Sequence, residues 1–226
     1  MPLSSVRRQI AERMLQSIHT SPHVLTVMEA DLTCVLAHQA QHKESFAAEG
    51  IRLTLTAYFI SAIASALRAY PLVNASWTDA GILLHRQINI GMAVSLGDAG
   101  LIVPVLKNAD SLSLIGLARA VNDLADRARA KKLLPDEVKG GTFTLTNHGS
   151  GGSLFAFPII NQPQVGILGT GTLKKRAVVV TDANGSDAIA IRPMLYLSFV
   201  FDHRILDGAS ADNFLATVKK SLEGDW

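Results

Sequence analysis

The stretch LYLSFVFDHRILDG, residues 195–208, contains the clearest strand pattern of the chain and the residues that follow it. Apolar and polar side chains alternate loosely from Leu195 to Phe201, as in a strand with one buried face. His203 stands where that strand would end, four residues before Asp207, and Gly208 lets the chain turn. Because histidine has an unperturbed pKa near neutral pH, His203 is a candidate general base.

The alternative is a structural histidine at a strand end, with Asp207 orienting the local loop through hydrogen bonds. A metal site is disfavoured, because no second histidine lies at helical spacing from His203 and Cys34, the single cysteine, is remote in sequence. We therefore expect no bound metal. One cysteine also excludes an internal disulfide framework and fits a cytosolic compartment.

Composition favours a folded enzyme-sized domain over disorder. The 226 residues are 48% hydrophobic and 18% charged, which allows a substantial core. The net charge of +2 comes from 21 scattered basic residues and 19 acidic ones, so nucleic-acid binding is not expected. Polar residues interrupt every apolar run before about 20 residues, and the start of the chain has no signal-peptide pattern. We expect a cytoplasmic protein with no membrane span.

The hydrophobic periodicity predicts helices and strands mixed along the chain. Helices are predicted near residues 5–17, 33–48, 56–69, 113–130 and 210–222. Strands are predicted near residues 24–33, 73–77, 82–84, 88–95, 101–106, 142–146, 159–169, 177–181, 189–191 and 195–201. The chain contains no repeat and no linker-like stretch, which favours one α/β domain with a mixed sheet packed against helices.

A second informative region is GGTFTLTNHGSGGSLFAFPIINQP, residues 140–163. Here a strand leads Thr146 and Asn147 into a glycine-rich loop, and glycines permit close approach of the backbone to a ligand. A flexible hairpin loop is the alternative. A phosphate-binding loop is disfavoured, because no lysine follows the glycines and no helix pattern begins there. We interpret His148 as a loop residue, not as a second base.

Six motifs, in order, resemble the catalytic domain of the dihydrolipoamide acyltransferases, the core components of 2-oxo acid dehydrogenase complexes. They are VRRQIAERM (6–14), PHVLTVMEADLT (22–33), YPLVNAS (70–76), GLIVPV (100–105), GTFTLTN (141–147) with PIINQPQVGILG (158–169), and DHRILDG (202–208). The resemblance covers nearly all of the chain. It implies a chloramphenicol-acetyltransferase-like two-layer sandwich, with residues 1–226 as one acyltransferase catalytic domain. The lipoyl and peripheral-subunit-binding domains of the family are expected to be absent.

The resemblance also implies an activity, which is acyl transfer between the thiols of dihydrolipoamide and coenzyme A. It assigns His203 as general base and Thr146 as oxyanion donor, and we give Asp207 an organising role. Residues aligned with coenzyme A contacts are Thr54, Asn147, Gly171 and Thr172. The lipoyl group is expected to arrive on a separate domain.

The same family is built as trimers that assemble into a hollow cage. The resemblance implies that His203 of one chain meets Thr146 of the next, so that the active site lies between subunits. Coenzyme A and lipoyl groups would enter from opposite ends. The expected partners are a lipoyl domain, a 2-oxo acid decarboxylase and dihydrolipoamide dehydrogenase.

The chain departs from the family pattern at a few positions. Ser61 replaces a lysine found in many members, Gln39 replaces a basic residue, and Ser95 replaces an aspartate. Two other functions stay open, a chloramphenicol acetyltransferase and a cage-forming scaffold. The acyl group also stays open among acetyl, succinyl and branched groups, although residues 152–154 and 158–161 resemble succinyltransferase members.

Overall fold

The structure is a computed structural model that describes residues 5–97 and 100–226. The helices are α1 (Ser5–Thr20), α2 (Thr33–Ala48), α3 (Leu55–Ala69), α4 (Leu114–Arg129) and α5 (Gly208–Glu223). The strands are β1 (His23–Asp31), β2 (Ala75–Thr78), β3 (Gly81–Leu84), β4 (Ile90–Met92), β5 (Val94–Ser95), β6 (Leu101–Ile102), β7 (Val105–Leu106), β8 (Phe143–Asn147), β9 (Gly166–Thr170), β10 (Lys174–Thr181) and β11 (Asp187–Asp202).

A mixed seven-stranded sheet organises the molecule, in the order β1-β11-β9-β8-β4-β7, with β10 also paired to β11. The β8 strand is parallel to both β4 and β9, and the other pairs in this sheet are antiparallel. β9 and β10 pair with successive parts of β11, so that β10 and the first half of β11 form a two-stranded arm. The expected α/β architecture with a mixed sheet is confirmed.

The two faces of the sheet are covered differently. On one face, Phe143 and Phe199 pack against Phe214 of α5, with ring centroids 5.7 and 4.8 Å away. The opposite face carries a small separate cluster formed by Leu25, Ile160, Ile167 and Val200. Because side chains alternate along a strand, Thr146 of β8 lies on this second face with Ile167 and Val200.

The predicted helices all form, and α2 has the predicted bounds. Two strand predictions were wrong in extent, because residues 88–95 divide into two short strands and residues 159–165 form a loop before β9. The strand over residues 101–106 is interrupted at Pro104, where a proline is expected to break the pairing, so that β6 and β7 are separate.

A third difference is that the two strands predicted over residues 189–191 and 195–201 form the single 16-residue strand β11, which continues through Pro193. The Pro193 carbonyl accepts a hydrogen bond from the backbone N–H of Leu32. Since a residue's N–H and C=O point to the same side of a strand, the missing proline N–H lies on the Leu32 side, beyond the last β1 pair at Asp31. The ladder between β10 and β11 therefore loses no hydrogen bond.

Within the described ranges, no helix combines the length and the apolar character that crossing a membrane requires.

Candidate active site

His203 lies directly after the last residue of β11, with an exposed side chain. Its backbone N–H donates to the carbonyl of Pro22 at 3.0 Å. Its ring packs near the ring of Phe201, with centroids 5.7 Å apart. The backbone of His203 is therefore anchored while the imidazole faces outward, as a group that exchanges protons with a bound molecule must.

Asp202 is the anchor on the N-terminal side of His203, and its side chain is only 3% exposed. The carboxylate accepts hydrogen bonds from Ser21 Oγ at 2.8 Å, and from Arg204 Nη2 at 2.6 Å and backbone N–H at 3.0 Å. Burial acts to raise the pKa of Asp202, but the hydrogen bonds from Arg204 and Ser21 outweigh it and lower the pKa. Arg204 in turn lies over the Trp77 ring, 4.9 Å from its centroid.

The loop before β9 is fastened to the same end of β11. Gln162 Nε2 donates to Ser21 Oγ at 2.8 Å, and Ser17 Oγ donates to the Ile160 carbonyl at 2.6 Å. The His23 ring joins the two segments, because its Nε2 accepts from the Ile160 N–H at 3.0 Å. Its Nδ1 therefore carries the proton and donates to the Ser21 carbonyl at 2.7 Å. Neighbours distant in sequence thus hold the His203 turn.

Asp207 caps α5. Its side chain accepts a hydrogen bond from the Ser210 backbone N–H at 2.7 Å. The hydrogen bonds with Ser210, and the nearby charge of His203, lower the pKa of Asp207. The carboxylate is therefore committed to the helix start, which suits the predicted organising role and not proton transfer. That role stays a prediction.

Thr146 and Asn147 form the C-terminal end of β8. Thr146 is half-buried, and its hydroxyl has no hydrogen bond to any residue of the described ranges. Asn147 is exposed, and its Oδ1 accepts from the Gly149 N–H at 3.0 Å, which begins the glycine-rich loop. The Thr146 hydroxyl is thus available to donate to a ligand.

Gly171 and Thr172 lie just past the end of β9, at the same sheet edge, because β8 and β9 are parallel. A Cβ added at Gly171 would lie 1.7 Å from the Leu154 carbonyl oxygen, so only glycine fits there. The Thr172 N–H donates to the Ser153 carbonyl at 2.8 Å. Four predicted residues, Thr146, Asn147, Gly171 and Thr172, are therefore brought together.

Thr54, the remaining predicted contact, stands apart at the start of α3. Its Oγ1 is buried without a hydrogen-bond partner in the described chain. Gln39, one of the departures from the family pattern, donates from Nε2 to the carbonyl of the adjacent Leu53 at 2.7 Å. The polar start of α3 is thus held by α2.

His203 and Thr146 lie at opposite ends of the sheet in a single chain. Thr146 is level with Gly169 of β9 and Ser198 of β11. His203 lies five residues beyond Ser198, or roughly 16 Å along the strand, and β8 is two strands away from β11 at about 4.8 Å per strand. One chain therefore does not unite the predicted base with the predicted oxyanion donor.

The sequence analysis did not identify the residues that hold the His203 turn in place. The contacts of Ser21, His23 and Gln162 could not be predicted, although His23 and Gln162 lie in the quoted motifs, because their partners lie more than 130 residues away in sequence. Asp202 did give a signal in the sequence, namely an acidic residue at the end of an apolar strand with an arginine two positions later.

Among residues 5–97 and 100–226, no group of three or more His, Cys, Asp and Glu side chains is placed to hold a metal ion.

Comparisons with known proteins show the family of this chain. The sequence model of the family described as "2-oxoacid dehydrogenases acyltransferase (catalytic domain)" matches residues 1–226. The chain is 42% identical over 223 residues to the dihydrolipoyllysine-residue acetyltransferase component of the pyruvate dehydrogenase complex of Mycobacterium bovis, and this match covers 97% of the chain. It is 42% identical to the branched-chain lipoamide acyltransferase component and 38% to the 2-oxoglutarate succinyltransferase component of Bacillus subtilis, over 99% and 98% of the chain.

Solved structures of acyltransferases are also similar to this chain. A probable dihydrolipoamide acetyltransferase from Listeria monocytogenes superposes with a TM-score of 0.93 at 41% identity, covering 99% of this chain and 93% of that one. The cubic core of a pyruvate dehydrogenase multienzyme complex superposes with a TM-score of 0.92 at 32% identity, covering 99% of this chain and 90% of that one. Chloramphenicol acetyltransferase superposes with a TM-score of 0.57 at 14% identity, covering 93% of this chain and 94% of that one. At this identity the similarity shows a shared fold alone. The chain spans 40 to 52% of the length of the three curated relatives above.

Proposed function

The chain belongs to the 2-oxoacid dehydrogenase acyltransferase family, and from that premise we propose that it transfers an acyl group between dihydrolipoamide and coenzyme A. The observation that carries the proposal is the family match over residues 1–226, in a chain that keeps His203 at the end of β11 and Thr146 at the end of β8. The substrate is a thioester, and the acceptor is a thiol.

The proposed reaction needs one base and one oxyanion donor. His203 takes the proton of the coenzyme A thiol, because a thiol is mostly protonated at neutral pH and becomes a strong nucleophile only as the thiolate. The thiolate attacks the thioester carbonyl of S-acyl-dihydrolipoamide, and the Thr146 hydroxyl donates to the oxyanion of the tetrahedral intermediate. The intermediate expels the lipoyl sulfur, which receives the proton back from His203. No covalent enzyme intermediate forms.

The active site is proposed to lie between two copies of the chain. The separation of His203 from Thr146 supports this, because strand geometry keeps them apart within one chain. A neighbouring copy that brings its Thr146 to His203 completes the site. A ring of three such contacts gives a homotrimer, and trimers assemble further into a cage that forms the core of a 2-oxo acid dehydrogenase complex.

The arm formed by β10 and β11 supports assembly independently. Val179 is paired with Ile189, and Ala177 with Ile191, so that these four side chains share one face. Val179, Ile189 and Ile191 are 67%, 80% and 73% exposed in the single chain. Large apolar side chains clustered this openly mark an association surface.

Coenzyme A would be held by groups the single chain leaves available. Thr54 has a buried hydroxyl without a hydrogen-bond partner among residues 5–97 and 100–226, and Asn147, Gly171 and Thr172 lie at the sheet edge beside Thr146. The lipoyl arm enters from the opposite end of the interface. A lipoyl domain delivers it, and the decarboxylase and dihydrolipoamide dehydrogenase components charge and reoxidise it.

The acyl group is the part of the proposal that most needs measurement, since the three relatives act on acetyl, branched-chain and succinyl substrates by their names. We propose succinyl first, because residues 152–154 and 158–161 resemble succinyltransferase members. The test is the rate of transfer from acetyl-, succinyl- and isobutyryl-coenzyme A to dihydrolipoamide by the full chain, with chloramphenicol as an alternative acceptor. Transfer to chloramphenicol, or to neither acceptor, would overturn the proposed function.

A further inference from the structure

The strand position next to Thr146 has no side chain of its own. Thr146 is level with Gly169 of β9, and neighbouring residues of parallel strands face the same side of a sheet. The ring of His148 fills that position. A Cβ added to Gly169 would lie 2.7 Å from His148 Cε1, 3.4 Å from Nδ1 and 3.7 Å from Nε2, and these are its three nearest contacts. The ring is therefore the packing neighbour of Thr146 on its β9 side.

Ser198 adjoins the same position from β11. It is level with Gly169, faces the same side of the sheet and is 0% exposed. Its Oγ and the Nε2 of His148 are both buried without a hydrogen-bond partner in the described chain. Three hydrogen-bonding side chains therefore lie in a row across β8, β9 and β11, with the His148 ring between the hydroxyls of Thr146 and Ser198.

Within the described residues, the His148 Nε2 and the Ser198 Oγ gain no hydrogen bond in return for their burial. Buried polar groups without partners destabilise a protein, and they recur where function needs them. Burial also lowers the pKa of His148, so that the ring is neutral at neutral pH and adds no charge beside the Thr146 hydroxyl.

We propose that His148 is a positioning residue that holds the Thr146 hydroxyl in the rotamer needed to donate to the oxyanion. Thr146 has no hydrogen bond within the described chain to select among its staggered rotamers, so packing must select one. The His148 ring, seated on Gly169 beside Ser198, provides that packing. The inference rests on the proposed acyl transfer, and it gives His148 no contact with the substrate.

A double-mutant cycle with Thr146 tests the inference in the full chain. We expect His148→Ala to lower kcat about tenfold, a part of the roughly 10² to 10³ that loss of an oxyanion donor costs. KM for coenzyme A should stay within about twofold, because the effect falls on the transition state. In a Thr146→Val background the same substitution should change kcat little, since His148 acts through Thr146. An equal loss of kcat in both backgrounds overturns the inference.

Gly169→Ala supplies a second, independent variant. Its methyl group displaces the ring, so we expect a fall in kcat similar to that of His148→Ala. When Gly169→Ala is combined with His148→Ala, kcat should not fall further, because the added methyl group no longer meets the histidine ring. An additive loss of kcat contradicts the inference. Gly116→Ala in α4 is the matched control, since its added Cβ meets nothing closer than 3.5 Å. If His148→Ala does not fold, His148→Gln replaces it in both cycles.

Failure of the inference is distinguishable from failure of the proposed function. A wild-type chain that transfers no acyl group between coenzyme A and dihydrolipoamide removes the function. An active wild-type chain whose Thr146→Val variant is slow, but whose His148 effects are additive with it, removes only the positioning role.

Discussion

At the scale of single residues, His203 owes its place to its neighbours. Asp202 is buried and joined to Ser21 and Arg204, and the backbone of His203 is bonded to Pro22. The turn therefore keeps its shape whether or not the imidazole is protonated. This support leaves the imidazole outside the hydrogen-bond network of the turn, as the proposed general base requires.

The two proposed catalytic side chains should be separable by pH. We expect His203→Ala to lose most of its activity at neutral pH but to regain part of it as the pH rises, because a growing fraction of the coenzyme A thiol then ionises without a base. Thr146→Val should lower kcat by about 10² to 10³ at every pH. Initial rates from pH 6.5 to 9.5 provide the check. A His203→Ala variant with no relative gain at high pH would argue against a base role.

Asp202→Asn should show a stability loss that depends on pH. The folded-state pKa of Asp202 is lowered, so its contribution is present above its unfolded pKa of about 3.9 and disappears as the pH falls through the folded value. We expect the variant to be less stable by about 2 kcal/mol at pH 7, the scale of a charge-assisted hydrogen bond. Urea unfolding from pH 7 to 3 should show the two proteins converging at the acid end. A constant difference would contradict the assignment.

At the scale of elements, the sequence predicts best where the signal is local. The helix α2 has the predicted bounds, 33–48, and α4 begins within one residue of its predicted start at Ser113, whose Oγ caps the helix by accepting from the Gly116 N–H. Thr146 and His203 were singled out because their motifs are short and contiguous, and their catalytic roles stay predictions. The continuity of β11 through Pro193 could not be predicted, because it depends on Leu32, which lies 161 residues away in sequence. The hydrogen bond from Ser21 to Asp202 could not be predicted for the same reason, since the two residues lie 181 positions apart.

The arm of β10 and β11 carries a prediction of its own. Ile189→Asp combined with Ile191→Asp should leave the fold intact but prevent assembly, because carboxylates are costly to bury in an apolar contact. We expect a smaller particle by light scattering and little acyl transfer. Asn184→Asp, in the exposed turn of the same arm, is the control and should assemble normally. A full-sized particle from the double variant would exclude this surface as a subunit contact.

At the scale of the whole molecule, the proposed active site between two chains predicts how mixtures of two inactive variants behave. Co-assembled His203→Ala and Thr146→Val chains should recover activity, since some interfaces then pair an intact His203 with an intact Thr146. Random mixing in a closed ring restores about a quarter of the sites. The check is the rate of acyl transfer of the refolded mixture against each variant alone. A mixture no more active than its parts would place the site within one chain.

The continuity of β11 restricts how this chain can vary in length. Successive side chains of a strand face opposite sides, so one residue inserted between Ile191 and Ser198 would turn either the outward arm or the inward Phe199 to the wrong side. An insertion within this segment of β11 would therefore need a β-bulge, which disrupts the pairing with β9 or β10 at that point. In related sequences, additions and losses should fall in the turn at residues 182–186, where the arm can lengthen in steps of two without disturbing the far end of the strand.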